Sequence, residues 1–147
     1  MVRVLMVCLG NICRSPLAEG ILKSKVFSNN VFVDSAGTAA YHVGNLPDSR
    51  SIDVAKKYGI DITNQRARAF TAVDFESFDY IYVMDISNYN HIINLANTSS
   101  DKEKVKLILN GGLEVPDPYY GGEGGFENVY QMLDLACGKI IERYTTA

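Results

Sequence analysis

The chain has 147 residues, a formal net charge of −3 and 47% hydrophobic residues, which suits a single domain over 1–147 burying about two thirds of its unfolded surface. The acidic balance excludes a general nucleic-acid binder, so an anionic ligand has to be caught by local positive charge. Three cysteines without a disulfide framework, an opening MVRVLMVC too short for a signal-peptide core and the lack of any membrane-length apolar run lead us to expect a soluble cytoplasmic protein.

VRVLMVC (2–8) is β-branched and almost wholly apolar, as expected of a strand buried on both faces. Ser15 is expected to cap the next helix, with Pro16 at its first position and Glu19 in its first turn. Leu17, Ala18, Ile21, Leu22 and Val26 supply that helix with an apolar face. VFVDSAG (31–37) reads as a second strand, and DSRSIDVAKKYG (48–59) as a helix with an Asp/Ser start and Gly59 past its end. A short helical piece near 71–77 precedes a third strand, YIYVMD (80–85). Ser87 is expected to cap the helix that follows, and KVKLIL (104–109) reads as a fourth strand. GGLEVPDPYYGGEGG (111–125) is the longest irregular segment, with Gly111, Gly112, Gly121, Gly122, Gly124 and Gly125. Phe126, Val129, Tyr130, Leu133, Cys137, Ile140, Ile141 and Tyr144 follow the spacing of a core-facing helix over about 126–144.

Strands alternating with helices specify right-handed βαβ units, hence an α/β fold with a parallel sheet covered on both faces. Ligands of such sheets bind beyond the carboxyl ends of the strands. Cys8, Ser35 and Asp85 lie at or just past such ends.

CLGNICRSP (8–16) therefore falls where a site belongs. It is either a cradle for a phosphate around a thiol or a strand-to-helix turn that buries a cysteine. A thiol attacks as its thiolate, which positive surroundings favour. Backbone N–H groups and the helix dipole supply partial charge, and Arg14 adds a full charge with a fork for two phosphoryl oxygens. Leu9, Gly10, Asn11, Ile12 and Cys13 suffice to wrap one tetrahedral oxyanion, and Gly10 and Asn11 tolerate the positive φ such a wrap needs. Ser15 can donate to the thiolate. The apolar strand before the loop, Gly10-Asn11 and Ser15-Pro16 tip the balance towards the cradle.

A thiolate attacking phosphorus needs an acid to protonate the leaving oxygen. DPYY (117–120) offers Asp117 on a glycine-flanked loop, although Asp-Pro alone is more often a simple turn. Tyr119 and Tyr120 are either exposed loop aromatics or the wall of a slot for an aryl ring. Asp85 and Ser87 read as caps or supporting residues, Cys137 as core packing, and Arg66 and Arg68 as a solvated pair. His42 and His91 lack ligand spacing, so no metal site is expected.

Along nearly its whole length the chain resembles the low-molecular-weight protein tyrosine phosphatases. The matching pieces are VCLGNICRSP (7–16), DSAGT (34–38), YHVG (41–44), FDYIYVMDISN (78–88) and DPYYGG (117–122). The resemblance implies a flavodoxin-like, four-stranded parallel sheet and hydrolysis of phosphotyrosine or small aryl phosphates through a phosphocysteine, without metal or cofactor. It implies phosphotyrosine-containing proteins as partners, no nucleic acid or membrane, and a monomer or weak dimer. Carried over by motif, Cys8 looks like the nucleophile, Arg14 the phosphate clamp and Asp117 the general acid. Asn11, Ser15 and Ser35 look like the loop's hydrogen-bonded support, and Leu9, Tyr41, Tyr119 and Tyr120 like the pocket walls. Members with a second loop cysteine, here Cys13, can protect the nucleophile as a reversible disulfide.

Two positions depart from the pattern. Gln65 stands where many members carry a histidine, and Tyr41 where tryptophan is common. Three other readings are weaker. An arsenate reductase with this loop needs further cysteines in mid-chain, and none stands between 14 and 136. A phosphate- or flavin-mononucleotide-binding module would carry a Ser/Thr-rich loop and have no use for a Cys–Arg pair. Cys8, Arg14 and Asp117, all intact, argue against a catalytically silent adaptor.

Overall fold

Alternate residues of a strand point to opposite faces of its sheet, and in the first strand, β1 (Val2–Cys8), both sets are apolar. In the structure, a computed structural model that describes residues 1–26, 30–119 and 123–145, β1 accordingly lies inside the sheet. It pairs with β2 (Val31–Gly37) on one side and β3 (Tyr80–Val83) on the other, and β4 (Val105–Leu107) completes the order β2-β1-β3-β4. All pairings are parallel, with Val4 opposite Val33 and Tyr80, and Ile81 opposite Val105. The expected four-stranded parallel sheet is present.

Among the described residues six α-helices accompany the strands: α1 (Arg14–Lys25), α2 (Ser49–Lys57), α3 (Asp74–Ser77), α4 (Ile86–Leu95), α5 (Ser99–Glu103) and, after the last strand, α6 (Glu123–Thr145). Val4 and Met6 share one core with Leu17 and Ile21 of α1, Val54 of α2 and Val129 and Leu133 of α6. Leu5 and Val7 face the other way, against Phe75 of α3 and Ile92 of α4. Each large apolar side chain buried this way contributes about 1.5–3 kcal/mol. In α1 the residues from Arg14 to Leu22 are buried without a break, and the helix reaches the surface at its last turn, where Lys23 is half-exposed. Among the described residues no helix is long and apolar enough to cross a membrane.

Several element ends differ from expectation. Helix α1 begins at Arg14 with Cys13 at the cap and no side-chain cap bond, so Ser15 is not its cap. Pro16 becomes the third helical residue, where its missing N–H still costs no intrahelical bond. Asp85, not Ser87, caps α4: its carboxylate accepts the Asn88 N–H and the Asn88 side chain returns to the Asp85 N–H. Strand β3 stops at Val83, β4 is shorter than expected, α5 is additional, and α6 starts at Glu123, three residues before its apolar stripe.

Candidate active site

The chain leaves β1 towards β2 on one side while β3 lies on the other, so the carboxyl end of β1 opens at a switch in strand order. There residues 8–14 wrap a pocket of about 290 Å³. The loop's carbonyls are held from outside: Cys8 O accepts the Thr38 N–H at 2.9 Å, Leu9 O the Ala39 N–H at 2.9 Å and Ile12 O the Asp48 N–H at 2.7 Å. The Ser51 hydroxyl donates to Cys13 O at 3.2 Å. With those carbonyls engaged elsewhere, backbone N–H groups are the polar face left for the pocket.

Asn11 carries the bend, with φ of 56°, in the left-handed region that Asn tolerates. Gly10, also expected at positive φ, is not there; its small size makes room for His42, whose Cδ2 would lie 3.0 Å from a β-carbon at that position. Gly37 at the end of β2 is required by close approach. A β-carbon there would meet Leu9 O at 2.8 Å and the Asn11 nitrogen at 3.1 Å, both backbone atoms of the loop.

Beneath the loop a line of hydrogen bonds has a definite direction. The Asn11 amide nitrogen donates to Ser15 Oγ at 2.8 Å and to Ser35 Oγ at 3.0 Å, while Asn11 Oδ1 accepts the Arg68 N–H at 3.0 Å. Ser35 passes its own hydrogen to Glu19 Oε1 at 2.6 Å, and Glu19 Oε2 pairs with Lys23 at 2.5 Å. Ser15 Oγ, which accepts from Asn11, lies 3.0 Å from Cys8 Sγ and has a hydrogen it can donate to a thiolate there. This use of the hydroxyl explains why Ser15 serves as no helix cap.

Arg14 is 2% exposed and donates through NH1 to Asp85 Oδ2 at 2.7 Å and Val115 O at 2.9 Å. Burial pulls its pKa down, but the charge on Cys8 and the bond to Asp85, with the charges of Asp85 and Asp117, hold it above the ordinary arginine value. Its NH2 lies 3.7 Å from Asp117 Oδ2, and the Asp117 side chain is 41% exposed, open to proton exchange with solvent. Cys13 is pushed up to about 12, by burial first and then by the charges of Asp48, Cys8 and Asp117, so it stays a neutral thiol near pH 7.

Cys8, Leu9, Gly10, Ile12, Cys13 and Arg14 form the pocket floor and near side, with Tyr41, His42, Asp117 and Tyr119 around the mouth. Asn11, Ser15 and Ser35 are buried behind it. Tyr120, expected as a second wall, lies outside the described residues. Gln65 does not bond to Asn11, Ser15 or Ser35: its amide nitrogen donates to Pro16 O at 3.1 Å, and among the described residues its buried Oε1 has no partner.

Three residues were missed or misread in the sequence. Glu19, expected in the first turn of its helix, lies beyond that turn of α1 and is buried behind the loop at 4% exposure. Arg68 is not a solvated cation but pairs with Asp34 and Asp74, each at 3.1 Å. His42, without ligand spacing in the sequence, borders the pocket beside Tyr41, and that adjacency is the signal for it.

The family model described as low molecular weight phosphotyrosine protein phosphatase matches residues 3–146. A low molecular weight phosphotyrosine protein phosphatase of Schizosaccharomyces pombe is 43% identical over 146 residues, covering 92% of each chain. The Homo sapiens protein of that name is 40% identical over 149 residues, covering 95% of this chain and 94% of its own. Among solved structures, a protein tyrosine phosphatase from Entamoeba histolytica superimposes with a TM-score of 0.90 at 38% identity, covering 97% of this chain and 96% of that one.

Proposed function

The chain belongs to the low-molecular-weight phosphotyrosine protein phosphatase family, and from that premise we propose that it hydrolyses phosphotyrosine and small aryl phosphates through a phosphocysteine at Cys8, without a metal. The observation that carries this reading is the meeting in one pocket of Cys8, the buried Arg14 and Asp117, with Tyr41 and Tyr119 at its mouth.

The phosphoryl group enters with its equatorial oxygens towards the loop N–H groups and the free edge of Arg14. Cys8 Sγ forms a bond to phosphorus in line with the departing phenolic oxygen, and Asp117 gives that oxygen its proton. The Ser15 hydroxyl, directed at the sulfur, stabilises the thiolate before attack and again as it leaves. In the second step the Asp117 carboxylate takes a proton from water as the water oxygen attacks phosphorus. The sulfur–phosphorus bond breaks, inorganic phosphate leaves and the thiolate is restored. A nucleophile at the floor of an aromatic-rimmed pocket suits a flat aryl ester, whereas a shorter phosphoserine would press its backbone into the rim.

The test is hydrolysis of p-nitrophenyl phosphate and a phosphotyrosine peptide with and without chelator, with acid-quenched enzyme examined by mass spectrometry. We expect turnover insensitive to chelator and one phosphoryl group on the peptide that contains Cys8. Loss of activity on chelation, or arsenate reduction in place of phosphate release, would overturn the reading.

A further inference from the structure

Arg50, the second residue of α2, takes no part in the chemistry above, yet it stands between two pieces of it. We propose that Arg50 is a positioning residue that ties the loop carrying Asp117 to the loop carrying Cys8. The proposal rests on the reading of Asp117 as general acid.

The path runs through short contacts. The Asp48 backbone N–H donates to Ile12 O at 2.7 Å, which fixes the start of α2 against the phosphate loop. The Asp48 carboxylate takes one edge of Arg50 through two bonds, Oδ1 from Nε at 3.0 Å and Oδ2 from NH2 at 2.9 Å, while also capping α2 through the Arg50 N–H at 2.9 Å. The bond to Arg50 holds the Asp48 carboxyl below its ordinary range, in keeping with a charged fork. In that fork the guanidinium carbon lies 5.3 Å from the centre of the Tyr119 ring and 4.6 Å from that of Phe126.

These rings stand before and after the glycine-rich stretch. Phe126 is 3% exposed and belongs to the main core. Tyr119 completes the path, because its backbone N–H donates to Asp117 Oδ1 at 3.0 Å. Arg50 therefore fastens the acid's neighbour both to the core and to the phosphate loop. A planar cation that stacks on a ring and pairs with a carboxylate by two bonds along one edge has no equivalent in lysine. A general acid needs this care, since a misplacement of about 1 Å can cost a large part of its effect.

Arg50 is 43% exposed, so the rival role is direct contact with substrate charge. The two roles separate in a leaving-group comparison. We would measure kcat/KM for phenyl phosphate and p-nitrophenyl phosphate in the wild type, Arg50→Met, Arg50→Lys, Asp117→Asn and the double variant Arg50→Met with Asp117→Asn, with inhibition by inorganic phosphate alongside. Arg50→Met should lose about 5- to 20-fold on phenyl phosphate and at most about 3-fold on p-nitrophenyl phosphate, whose leaving group needs the acid less. Arg50→Lys, which keeps the charge and the fold without the stack, should show the same grading in milder form. Phosphate inhibition should be unchanged, and the double variant no worse than Asp117→Asn. Equal losses on both substrates, weakened phosphate inhibition or additive losses in the double variant would each overturn the proposal. A graded Asp117→Asn with an ungraded Arg50→Met overturns it alone; an ungraded Asp117→Asn removes the acid assignment and this proposal together.

Discussion

Arg14 divides its guanidinium between two tasks. NH1 is bound to Asp85 and Val115, while NH2 faces Asp117 across the pocket. A lysine ammonium cannot hold a carboxylate and a backbone carbonyl on one side and two phosphoryl oxygens on the other. Arg14→Lys should therefore lose about 10² to 10⁴ in kcat/KM, or roughly 3–5 kcal/mol of transition-state stabilisation. Cys8→Ser should lose turnover altogether while still binding phosphate by calorimetry, because the cradle and Arg14 remain. A rate above a few per cent of wild type in Cys8→Ser would sink the covalent mechanism. Asp117→Asn should slow phenyl phosphate more than p-nitrophenyl phosphate and remove the alkaline limb of the rate profile. Asp85→Asn loosens Arg14 and the cap of α4, so it should weaken both substrates evenly. If Asp85→Asn gives the graded pattern instead, the two carboxylates have been assigned the wrong way round.

Cys13 poses a different question at the same scale. It is buried close enough to Cys8 to feel its charge, and its own thiol stays protonated near neutral pH. Oxidation would therefore begin at Cys8 and be resolved by Cys13, sulfenic acid giving way to a disulfide with loss of water. Mild peroxide should inactivate the wild type in a form that dithiothreitol restores, and inactivate Cys13→Ser beyond recovery. Equal recovery of the two proteins would reduce Cys13 to a loop residue.

Among the elements, α2 and α6 are joined by a cluster centred on Glu127. Lys57 Nζ and Tyr58 Oη each donate to its carboxylate at 2.6 Å and the Gln131 amide at 2.8 Å, while the Tyr58 ring stacks on Tyr130 at 4.1 Å. The bond from Gln131, then those from Lys57 and Tyr58, depress the Glu127 carboxyl from 4.5 to about 2. Because the folded protein favours the ionised form, this contribution is present above the ordinary carboxyl pKa and fades as pH falls towards the depressed one. Urea midpoints of wild type and Glu127→Gln should therefore differ at neutral pH and converge as the pH drops below about 4.5. Two curves offset by the same amount at every pH would show that the ionised carboxylate is not the source of the stabilisation, and coincident curves that the cluster does not stabilise the fold.

The elements also show what a sequence reveals and what it hides. β1 is found where its apolar run put it, since burial on both faces leaves a continuous signal. α5 left none: no residue of Ser99–Glu103 is buried, so no hydrophobic period marks it. α6 begins on Glu123, ahead of the first stripe residue, because its opening turn contributes nothing to that stripe. Ser15 and Ser87 misled in related ways. Each has a hydroxyl suited to a cap, but Ser15 is drawn to Cys8, and the cap of α4 falls to Asp85, which fits its reading as a capping or supporting residue and also holds Arg14. The proposed nucleophile, clamp and acid were legible as motif residues, whereas Glu19 and Arg50 meet Ser35 and Tyr119 across the fold, contacts that no local pattern predicts.

Across the whole molecule, the unbroken burial of Arg14 to Leu22 makes the helix that begins the site also the centre of the main core. The cradle therefore has no separate way to come apart. A truncation far from it, such as Leu133→Ala in α6, should cost about 2–5 kcal/mol of stability. Activity and tyrosine circular dichroism should then melt on one curve in wild type and variant alike, with the turnover of each folded molecule unchanged. An activity loss that precedes the spectroscopic one would show a site able to loosen by itself. Such a population is diminished by headcount: heat or a core mutation leaves fewer workers, each at full pace, and in a cell the lever on total dephosphorylation becomes the rate at which unfolded copies are removed.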